Sequence, residues 1–371
     1  MKKTLMAAAA TAAAIVLALS ACSQPTETPS SGPASSDNAN AKFVGCMVSD
    51  QGGFDDKSFN QTSYAGLKKV ANDFGITEKH VQSVSATDYA TNVNAMVQQG
   101  CNIIIGVGFA LADAVVAAAQ ANPDIEFAIV DDLPTDANFQ PLNLPNLKPL
   151  VFNTNESSFL AGYLAASITQ TGVVGTYGGQ PYPTVTIFMD GFVEGVAYYN
   201  QQKGTSVKVL GWDVDAQDGS FVQSTDPFVD AIAGKVAAQN LTAQGADVLF
   251  PVAGNAGTGA LQVAQESNGK ISAIWVDTDG CVSAVDYCAV MPTSVYKGLD
   301  IAVYQAVTDA LNNQFSADPF IGTLANGGTG IADFHQWDSK ISDQTKAELD
   351  TIKAGIIDGS IKAPSKGAYT A

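Results

Sequence analysis

The sequence predicts an α/β protein built from two doubly wound parallel-sheet lobes that are joined by a hinge. Short apolar runs such as 43–48 alternate with longer stretches in which apolar residues recur at helical spacing, as Phe59, Leu67, Val70 and Phe74 do. Strands that alternate with helices are typical of a parallel sheet with helices on both faces. After position 41 about 330 residues remain, which is enough for two domains with separate cores.

The predicted elements fall into two successive series. The first has strands at 43–48, 81–84, 103–107 and 126–130 and helices at 58–74, 89–99 and 111–121. The second has strands at 172–176, 207–212, 248–252, 271–276 and 289–291 and helices at 159–169, 190–202, 228–244 and 257–266. Helices at 295–312 and 343–355 follow. We therefore expect lobe 1 to comprise 42–154 plus 293–322 and lobe 2 to comprise 155–292 plus 323–371, with three crossings at the hinge.

The amino-terminal segment has the order of an export signal. Lys2 and Lys3 precede an apolar run at 5–19, and small residues then lead directly into Cys22. The run is shorter than the roughly 20 apolar residues that a membrane helix needs. We expect residues 1–21 to be a lipoprotein signal peptide, Cys22 to carry lipid, and residues 22–41, rich in Ser, Pro and Thr, to be a disordered stalk. A plain signal peptide with an incidental cysteine is the alternative. The expected location is the extracytoplasmic face of the cell membrane.

The balance of charged residues restricts the partners. The formal net charge is -18, and every basic side chain is Lys because the sequence contains no Arg. Such an acidic chain argues against nucleic acid as a partner. Arg offers the planar, bidentate fork with which proteins usually clamp carboxylates and phosphates. Its absence favours a neutral, hydroxyl-rich small molecule as the ligand.

Cysteine and histidine positions argue against a catalytic or metal centre. We expect a disulfide between Cys281 and Cys288, which are close in sequence, and consider one between Cys46 and Cys101, although sequence alone does not fix connectivity. No Cys/His cluster has zinc-ligand spacing, and no GxSxG elbow or Ser/His arrangement suggests a nucleophile. We expect no enzyme activity, no cofactor and no metal.

Polar and aromatic residues follow the predicted strands. In open parallel sheets, ligands bind beyond the carboxyl ends of the strands, so these residues are expected to face the cleft between the lobes. They include Asp50, Phe59, Asn60, Phe109, Asp131, Phe221, Gly254, Asp277 and Asp279. Carboxylates accept hydrogen bonds from hydroxyl and ring N–H groups, and aromatic faces stack on a planar ring.

The segment 48–61, which reads VSDQGGFDDKSFNQ, resembles the opening motif of the basic membrane protein family, the purine nucleoside receptor-like substrate-binding lipoproteins of ABC transporters. The likeness continues through 156–162, 218–221, 245–251, 276–279 and 293–297, and so covers essentially the whole folded chain. The resemblance implies a type I periplasmic binding protein-like fold and an ABC transporter permease as partner.

The resemblance also implies roles for particular residues. Asp50 and Asn60 would contact the base edge, Phe59 and Phe221 would stack on its two faces, and Gly254 would allow close backbone approach. Asp277 and Lys297 would hold the ribose hydroxyls. Asp279 competes with Asp277 for this role, because both residues follow the same predicted strand.

These observations predict an extracytoplasmic lipoprotein that captures a nucleoside, with a purine favoured, and delivers it to an ABC permease. The alternatives are a protein that binds a neutral sugar or another small solute, and an extracellular sensor lipoprotein with the same fold. The sequence leaves the choice between purine and pyrimidine open.

Overall fold

A computed structural model describes residues 39–136, 138 and 140–370. The expected signal peptide, the lipid-bearing Cys22 and nearly all of the expected stalk lie outside these residues. Among the helices that the structure describes, none is both long and apolar enough to cross a bilayer.

The first lobe begins with three strand–helix units, which two further strands follow. Its elements are β1 (Val44–Ser49), α1 (Phe59–Phe74), β2 (Thr77–Gln82), α2 (Tyr89–Gln98), β3 (Ile103–Val107), α3 (Ala112–Ala121), β4 (Glu126–Val130) and β5 (Leu147–Phe152). Two later elements return to it, namely α9 (Leu299–Leu311), which packs on α1, and β14 (Phe320–Gly322), which pairs with β5. Within the described chain these strands form one sheet in the order β14-β5-β4-β3-β1-β2, and every pair is parallel.

The second lobe contains the elements between β5 and α9 and those after β14. They are α4 (Thr154–Ile168), β6 (Val173–Gly178), α5 (Pro183–Lys203), β7 (Lys208–Leu210), β8 (Trp212–Asp213), β9 (Asp218–Gly219), α6 (Ala231–Thr242), β10 (Val248–Val252), α7 (Thr258–Glu266), β11 (Ser272–Ala273), β12 (Trp275–Asp277), α8 (Gly280–Ser283), β13 (Ser294–Lys297), β15 (Thr329–Ile331) and α10 (Asp343–Ile357). In the described residues, parallel strands run in the order β11-β10-β6-β7, and β12-β13-β15 form a smaller sheet beside them.

The pleat of the strands explains why helices cover both faces of the first sheet. Ile103 and Ile105 belong to the apolar cluster that includes α1 and α9, whereas Ile104 belongs to the cluster that includes α2 and α3. All three side chains are fully buried. Successive side chains point to opposite faces of a strand, so a continuously apolar run is the expected pattern for a sheet that is buried on both sides. The predicted class, α/β with two parallel-sheet lobes, is confirmed.

The chain passes between the lobes after β5, after β13 and after β14. Strand β13 lies in the segment 293–322, which we expected in lobe 1, yet it pairs with β12 of the second lobe. The chain therefore crosses back only after Lys297. The other lobe boundaries stay predictions.

Several elements differ from the sequence-based expectation. Strand β5 was not expected, and the helix expected at 295–312 is strand β13 followed by helix α9. The segment expected as a strand at 289–291 lies largely within a 3-10 helix at Val285–Val290, since so short an apolar run carries no periodicity that separates strand from helix. Helix α5 begins at Pro183 and not at Asp190. Its first turns, with Thr184, Val185, Thr186 and Ile187, are β-branched and therefore resemble a strand. Proline at the first helical position is pre-organised for a helix and starts this one.

The structure joins the four cysteines that it describes in two pairs. Cys46 of β1 is bonded to Cys101, directly before β3, with Cα atoms 5.9 Å apart. Cys281 is bonded to Cys288, with Cα atoms 4.6 Å apart, and closes the loop that contains α8.

Candidate ligand-binding site

A cavity with about 630 Å³ of empty space, part of it open to solvent, lies between the lobes. Its first-lobe wall comes from the residues after β1, β3 and β4, and its second-lobe wall from the start of α5 and the ends of β10, β12 and β13. The lining residues are Asp50, Gln51, Gly52, Asp56, Phe59, Asn60, Gly108, Phe109, Asp131, Thr184, Val185, Phe188, Phe228, Val252, Ala253, Gly254, Asn255, Val276, Asp277 and Lys297. Carboxyl ends of parallel strands thus meet at the cavity, as expected for an open sheet.

Most residues singled out in the sequence meet at this cavity. They are Asp50, Phe59, Asn60, Phe109, Asp131, Gly254, Asp277 and Lys297. Phe221 and Asp279 do not line it, and each has a structural position elsewhere.

Phe221 anchors a loop to the second sheet. Its backbone forms a parallel bridge with Gly178 at the end of β6, and its ring lies 6.1 Å from the ring of Trp212 in an edge-on arrangement. A Cβ atom at position 178 would lie 2.8 Å from this ring, so the ring packs directly on the glycine. The expected stacking role therefore has no geometric basis at Phe221.

Asp279 caps a helix instead of facing the cavity. Its Oδ1 accepts a hydrogen bond from the backbone N–H of Cys281 at 2.9 Å, and its Oδ2 lies 2.7 Å from Nε2 of His335. Asp277 is the carboxylate after this strand that lines the cavity. Asp277 is the last residue of β12, and its φ of +67° lies in the left-handed region that few residues other than glycine adopt.

The start of α1 is held by a buried carboxylate. Asp56 accepts hydrogen bonds from the backbone N–H groups of Ser58 at 3.0 Å, Asn60 at 2.9 Å and Gln61 at 3.1 Å. These donors would otherwise lack partners in the first turn of the helix. Asp56 therefore positions Phe59 and Asn60 at the cavity wall, and its own oxygens are occupied.

One end of the cavity carries the pair formed by Asp50 and Asn60. The Asn60 side chain donates from Nδ2 to Oδ1 of Asp50 at 2.8 Å. The Asn60 Oδ1 atom is buried and has no hydrogen-bond partner in the described part of the chain. Burial is the main cause that raises the pKa of Asp50 to about 8, and the hydrogen bond from Asn60 opposes this effect. A Cβ atom at Gly108 would lie 2.2 Å from Asp50 Oδ2, so only glycine leaves room for this carboxyl group.

The other end of the cavity is built around Lys297. Its ammonium group donates a hydrogen bond to Oδ2 of Asp131 and lies 3.8 Å from Oδ1 of Asp277. Ser58 donates from Oγ to Oδ2 of Asp277 at 2.9 Å. Burial raises the pKa of Asp131 to about 6 despite the opposing effect of Lys297. Carboxylates and an ammonium group side by side can bind several neighbouring hydroxyl groups.

Aromatic rings from both lobes enclose the cavity. The Lys297 ammonium lies 5.2 Å from the ring centre of Phe59 and 5.0 Å from that of Phe188. At the mouth, Phe109 of the first lobe lies 4.1 Å from Tyr182 and 6.1 Å from Phe228 of the second lobe, ring centre to ring centre. The lobes therefore contact each other through these rings.

Sequence reasoning missed Thr184, Val185, Phe188 and Phe228 as lining residues. The first three enter the cavity because α5 starts at Pro183, and a proline before a turn of helix was the signal that could have located them. Phe228 follows Asp226 and Pro227, a turn-forming pair, and was expected as the first residue of the helix at 228–244, which begins at Ala231 instead.

The cavity favours hydrogen-bond donors over anions. Its ionisable acidic and basic lining groups are the carboxyl groups of Asp50, Asp56, Asp131 and Asp277 and the ammonium group of Lys297. Away from the cavity, the described residues place ligand atoms of Asp279, Cys281 and His335 close together. Because Cys281 is bonded to Cys288, its sulfur is not a thiolate and is a poor metal ligand.

Comparison with known proteins agrees with this architecture. Residues 43–366 match the Bmp family, described as ABC transporter substrate-binding protein PnrA-like. The chain is 32% identical to the ABC transporter nucleoside-binding protein BmpA of Lactococcus lactis subsp. cremoris, over 99% of this chain and 100% of the relative. It is also 32% identical to the CD4+ T-cell-stimulating antigen of Listeria innocua, over 98% of this chain and 99% of the relative.

The fold is similar to that of an ABC transporter solute-binding protein from Aeropyrum pernix K1. The TM-score is 0.74 at 23% identity, and the match covers 86% of this chain and 92% of the other.

Proposed function

The chain belongs to the PnrA-like family of ABC transporter substrate-binding proteins, and we propose that its ligand is a nucleoside, with a purine base favoured. Proteins of this family bind a small molecule outside the cytoplasm for transfer to a permease, and the chain is not an enzyme. The nucleoside itself, the lipid anchor at Cys22 and the attachment to the cell membrane are parts of the proposal.

The observation that carries the proposal is the chemical difference between the two ends of one cavity. Asp131, Asp277 and Lys297 form an end that suits neighbouring hydroxyl groups, as on a ribose. Asp50 and Asn60 form an end that suits the polar edge of a base. A nucleoside carries both features on one molecule.

Aromatic and steric features support the same ligand. Phe59 from the first lobe and Phe228 from the second line the cavity and can contact the faces of a planar base, a role for which Phe228 replaces the expected Phe221. A purine offers the rings a larger face than a pyrimidine does.

Charge argues for a nucleoside over a nucleotide. The cavity lining combines several carboxyl groups with the single ammonium group of Lys297, which already contacts Asp131. A phosphate would meet uncompensated negative charge, and the chain has no Arg to offset it. The relative from Lactococcus lactis, whose name includes nucleoside binding, supports the same class of ligand.

Calorimetric titration of the purified protein, freed of bound ligand by unfolding and refolding, tests this function. The ligands are adenosine, guanosine, cytidine, uridine, adenine, guanosine monophosphate, ribose and galactose. We expect tight binding of purine nucleosides and weak or no binding of ribose and of the nucleotide. Heat with a sugar but with no nucleoside would overturn the nucleoside assignment.

Two carboxylates that follow the same strand provide a matched pair of variants. Asp277→Asn removes a charge that lines the cavity, whereas Asp279→Asn removes a charge that caps α8. We expect a loss of nucleoside affinity of about tenfold or more in the first variant, the scale of one hydrogen bond to a charged group. The second variant is expected to keep its affinity, and equal losses in both would contradict the proposed site.

A further inference from the structure

Two spaces meet at the aromatic rings between the lobes. The inner one is the cavity described above. The outer one, here called the outer chamber, is lined by Tyr89, Asp113 and Tyr182 together with small side chains of α2 and α3. Phe109 and Phe228 are the aromatic residues that line both spaces. Their rings therefore lie at the boundary between the inner cavity and the outer chamber.

The backbone of Tyr182 is fixed at this boundary, although the residue is 39% exposed. It directly precedes Pro183, which restricts it to extended conformations, and it has a φ of -91° and a ψ of 149°. Its carbonyl oxygen accepts hydrogen bonds from the backbone N–H groups of Val185 and Thr186, both at 2.9 Å. An exposed ring is thus attached to a well-defined point at the start of α5.

Phe109 of the first lobe lies between two rings of the second lobe. Its ring centre is 4.1 Å from that of Tyr182, with the planes inclined at 39°, and 6.1 Å from that of Phe228 in an edge-on arrangement. Phe228 itself packs on Gly179, where a Cβ atom would lie 2.3 Å from a ring carbon. Tilted and edge-on ring pairs at such separations attract each other. Because the pair of Phe109 and Tyr182 joins the two lobes, separation of the lobes breaks it.

We propose that Tyr182 is a positioning residue, which holds Phe109 across the mouth of the inner cavity and so slows the release of the bound molecule. Tyr182 does not line the inner cavity, so it acts on the ligand through Phe109 and not by direct contact. This inference rests on the proposed nucleoside function and adds to it a residue that controls the rate of release.

The contact between Phe109 and Tyr182 affects release more than capture. The inner cavity has walls from both lobes, so a molecule inside it leaves when the lobes separate, and that movement breaks the contact. Before capture the lobes are apart and the contact is absent. Its free energy therefore adds to the barrier for dissociation and not to the barrier for association. Affinity differences among variants of one binding site generally appear in koff for the same reason.

Surface plasmon resonance of the whole purified protein with guanosine and adenosine measures kon and koff separately. In Tyr182→Ala we expect koff to rise by about two- to tenfold, the range that corresponds to the loss of one aromatic pair, and kon to stay within about twofold. Tyr182→Phe keeps the ring, so its koff is expected to remain close to the wild-type value. An unchanged koff in Tyr182→Ala, or a lower kon with an unchanged koff, would overturn the inference.

A double variant separates action through Phe109 from damage to α5. If Tyr182 acts through Phe109, then Tyr182→Ala should not raise koff further in a protein that already carries Phe109→Ala. An equal increase in both backgrounds would assign the effect to α5, whose first turn lines the cavity, and would contradict the proposed role. If Phe109→Ala does not fold or does not bind, the comparison of Tyr182→Ala with Tyr182→Phe decides.

Tyr304→Ala is the matched control. The ring of Tyr304 in α9 lies 6.3 Å from that of Phe74 in α1, so this aromatic pair belongs to one lobe and lines neither space. We expect an unchanged koff in this variant, and an increase equal to that of Tyr182→Ala would overturn the inference. If neither nucleoside binds the wild type, the proposed function fails, and this inference fails with it. Nucleoside binding with the same koff in wild type and Tyr182→Ala would remove the inference alone.

Discussion

The ammonium group of Lys297 donates a hydrogen bond to the carboxylate of Asp131 and so connects the end of β13 in the second lobe to the end of β4 in the first. Both side chains are almost completely buried, at 3% and 8% exposure. The pair lies beside Asp277, which contacts the first lobe through Ser58. The proposed ribose-binding groups are therefore also contacts that hold the lobes together.

Replacement of Lys297 by methionine is expected to destabilise the protein and to abolish nucleoside binding. The variant leaves the carboxyl groups of Asp131 and Asp277 without their cation, and breaking a buried ion pair costs about 3–5 kcal/mol. Urea unfolding and calorimetric titration measure the two effects. Lys270→Met is the control, because Lys270 is exposed and distant from the cavity lining. Unchanged nucleoside affinity in Lys297→Met would contradict the proposed ribose end.

The ligand-free protein is expected to lose stability as the pH rises from about 6 to about 8. The pKa of Asp50 is raised to about 8, so in this range the folded state binds a proton that the unfolded state has already lost. Stability falls with pH wherever the folded state binds more protons, by about 1 kcal/mol per pH unit for one such group. Asp131 acts in the same direction at lower pH, since its pKa is raised to about 6.

Thermal unfolding of the wild type and of Asp50→Asn across this pH range measures the contribution of Asp50. The variant is expected to show a flatter pH dependence and to be the more stable of the two at about pH 8. Parallel curves would show that the carboxyl group of Asp50 does not titrate in this range.

Phe228→Ala is expected to lower nucleoside affinity, whereas Phe221→Ala is expected to lower folding stability. Phe228 lines the cavity, and loss of a stacked ring typically reduces affinity by about 1–3 kcal/mol. Phe221 packs against Trp212 and Gly178 and is partly buried, so its removal is expected to cost about 3 kcal/mol of folding stability and to leave nucleoside affinity nearly unchanged. Titration and urea unfolding of both variants make the comparison, and a larger affinity loss for Phe221→Ala would restore the sequence-based assignment.

The disulfide that closes the longer loop is expected to contribute more to the free energy of unfolding than the one that closes the shorter loop. The bridge between Cys46 and Cys101 spans 55 residues of sequence and that between Cys281 and Cys288 spans 7. The loop-entropy relation gives about 4 kcal/mol for the longer loop and about 2 kcal/mol for the shorter. Urea unfolding of the paired Cys→Ala variants measures both values. A greater loss for the short loop would show that loop entropy does not control the effect.

The sequence was sufficient for the fold class because a sheet that is covered on both faces has strands that are apolar at every position. The apolar run of β3 and the helical spacing in α1 are local patterns, and each predicts its element without knowledge of the rest of the chain. The start of α5 was harder to predict, because β-branched residues follow Pro183 and their local propensity favours a strand. The same residues are buried in the helix, and this tertiary packing outweighs the local propensity.

The site could be predicted where its residues lie at or directly after the end of a strand. Asp50, Asp131 and Asp277 occupy such positions, and the topology alone brings them to one edge. The sequence left Asp277 and Asp279 as alternatives and did not single out Phe228. Neither position is encoded in a repeating pattern, so tertiary geometry was needed for both.

The most direct test of the nucleoside site is a crystal structure of the refolded protein grown with guanosine. We expect electron density for the nucleoside in the cavity, with ribose hydroxyls on Asp277 and Lys297, the base against Phe59 and Phe228, and its polar edge on Asp50 and Asn60. An empty cavity at saturating guanosine, or a nucleoside bound elsewhere on the protein, would contradict it.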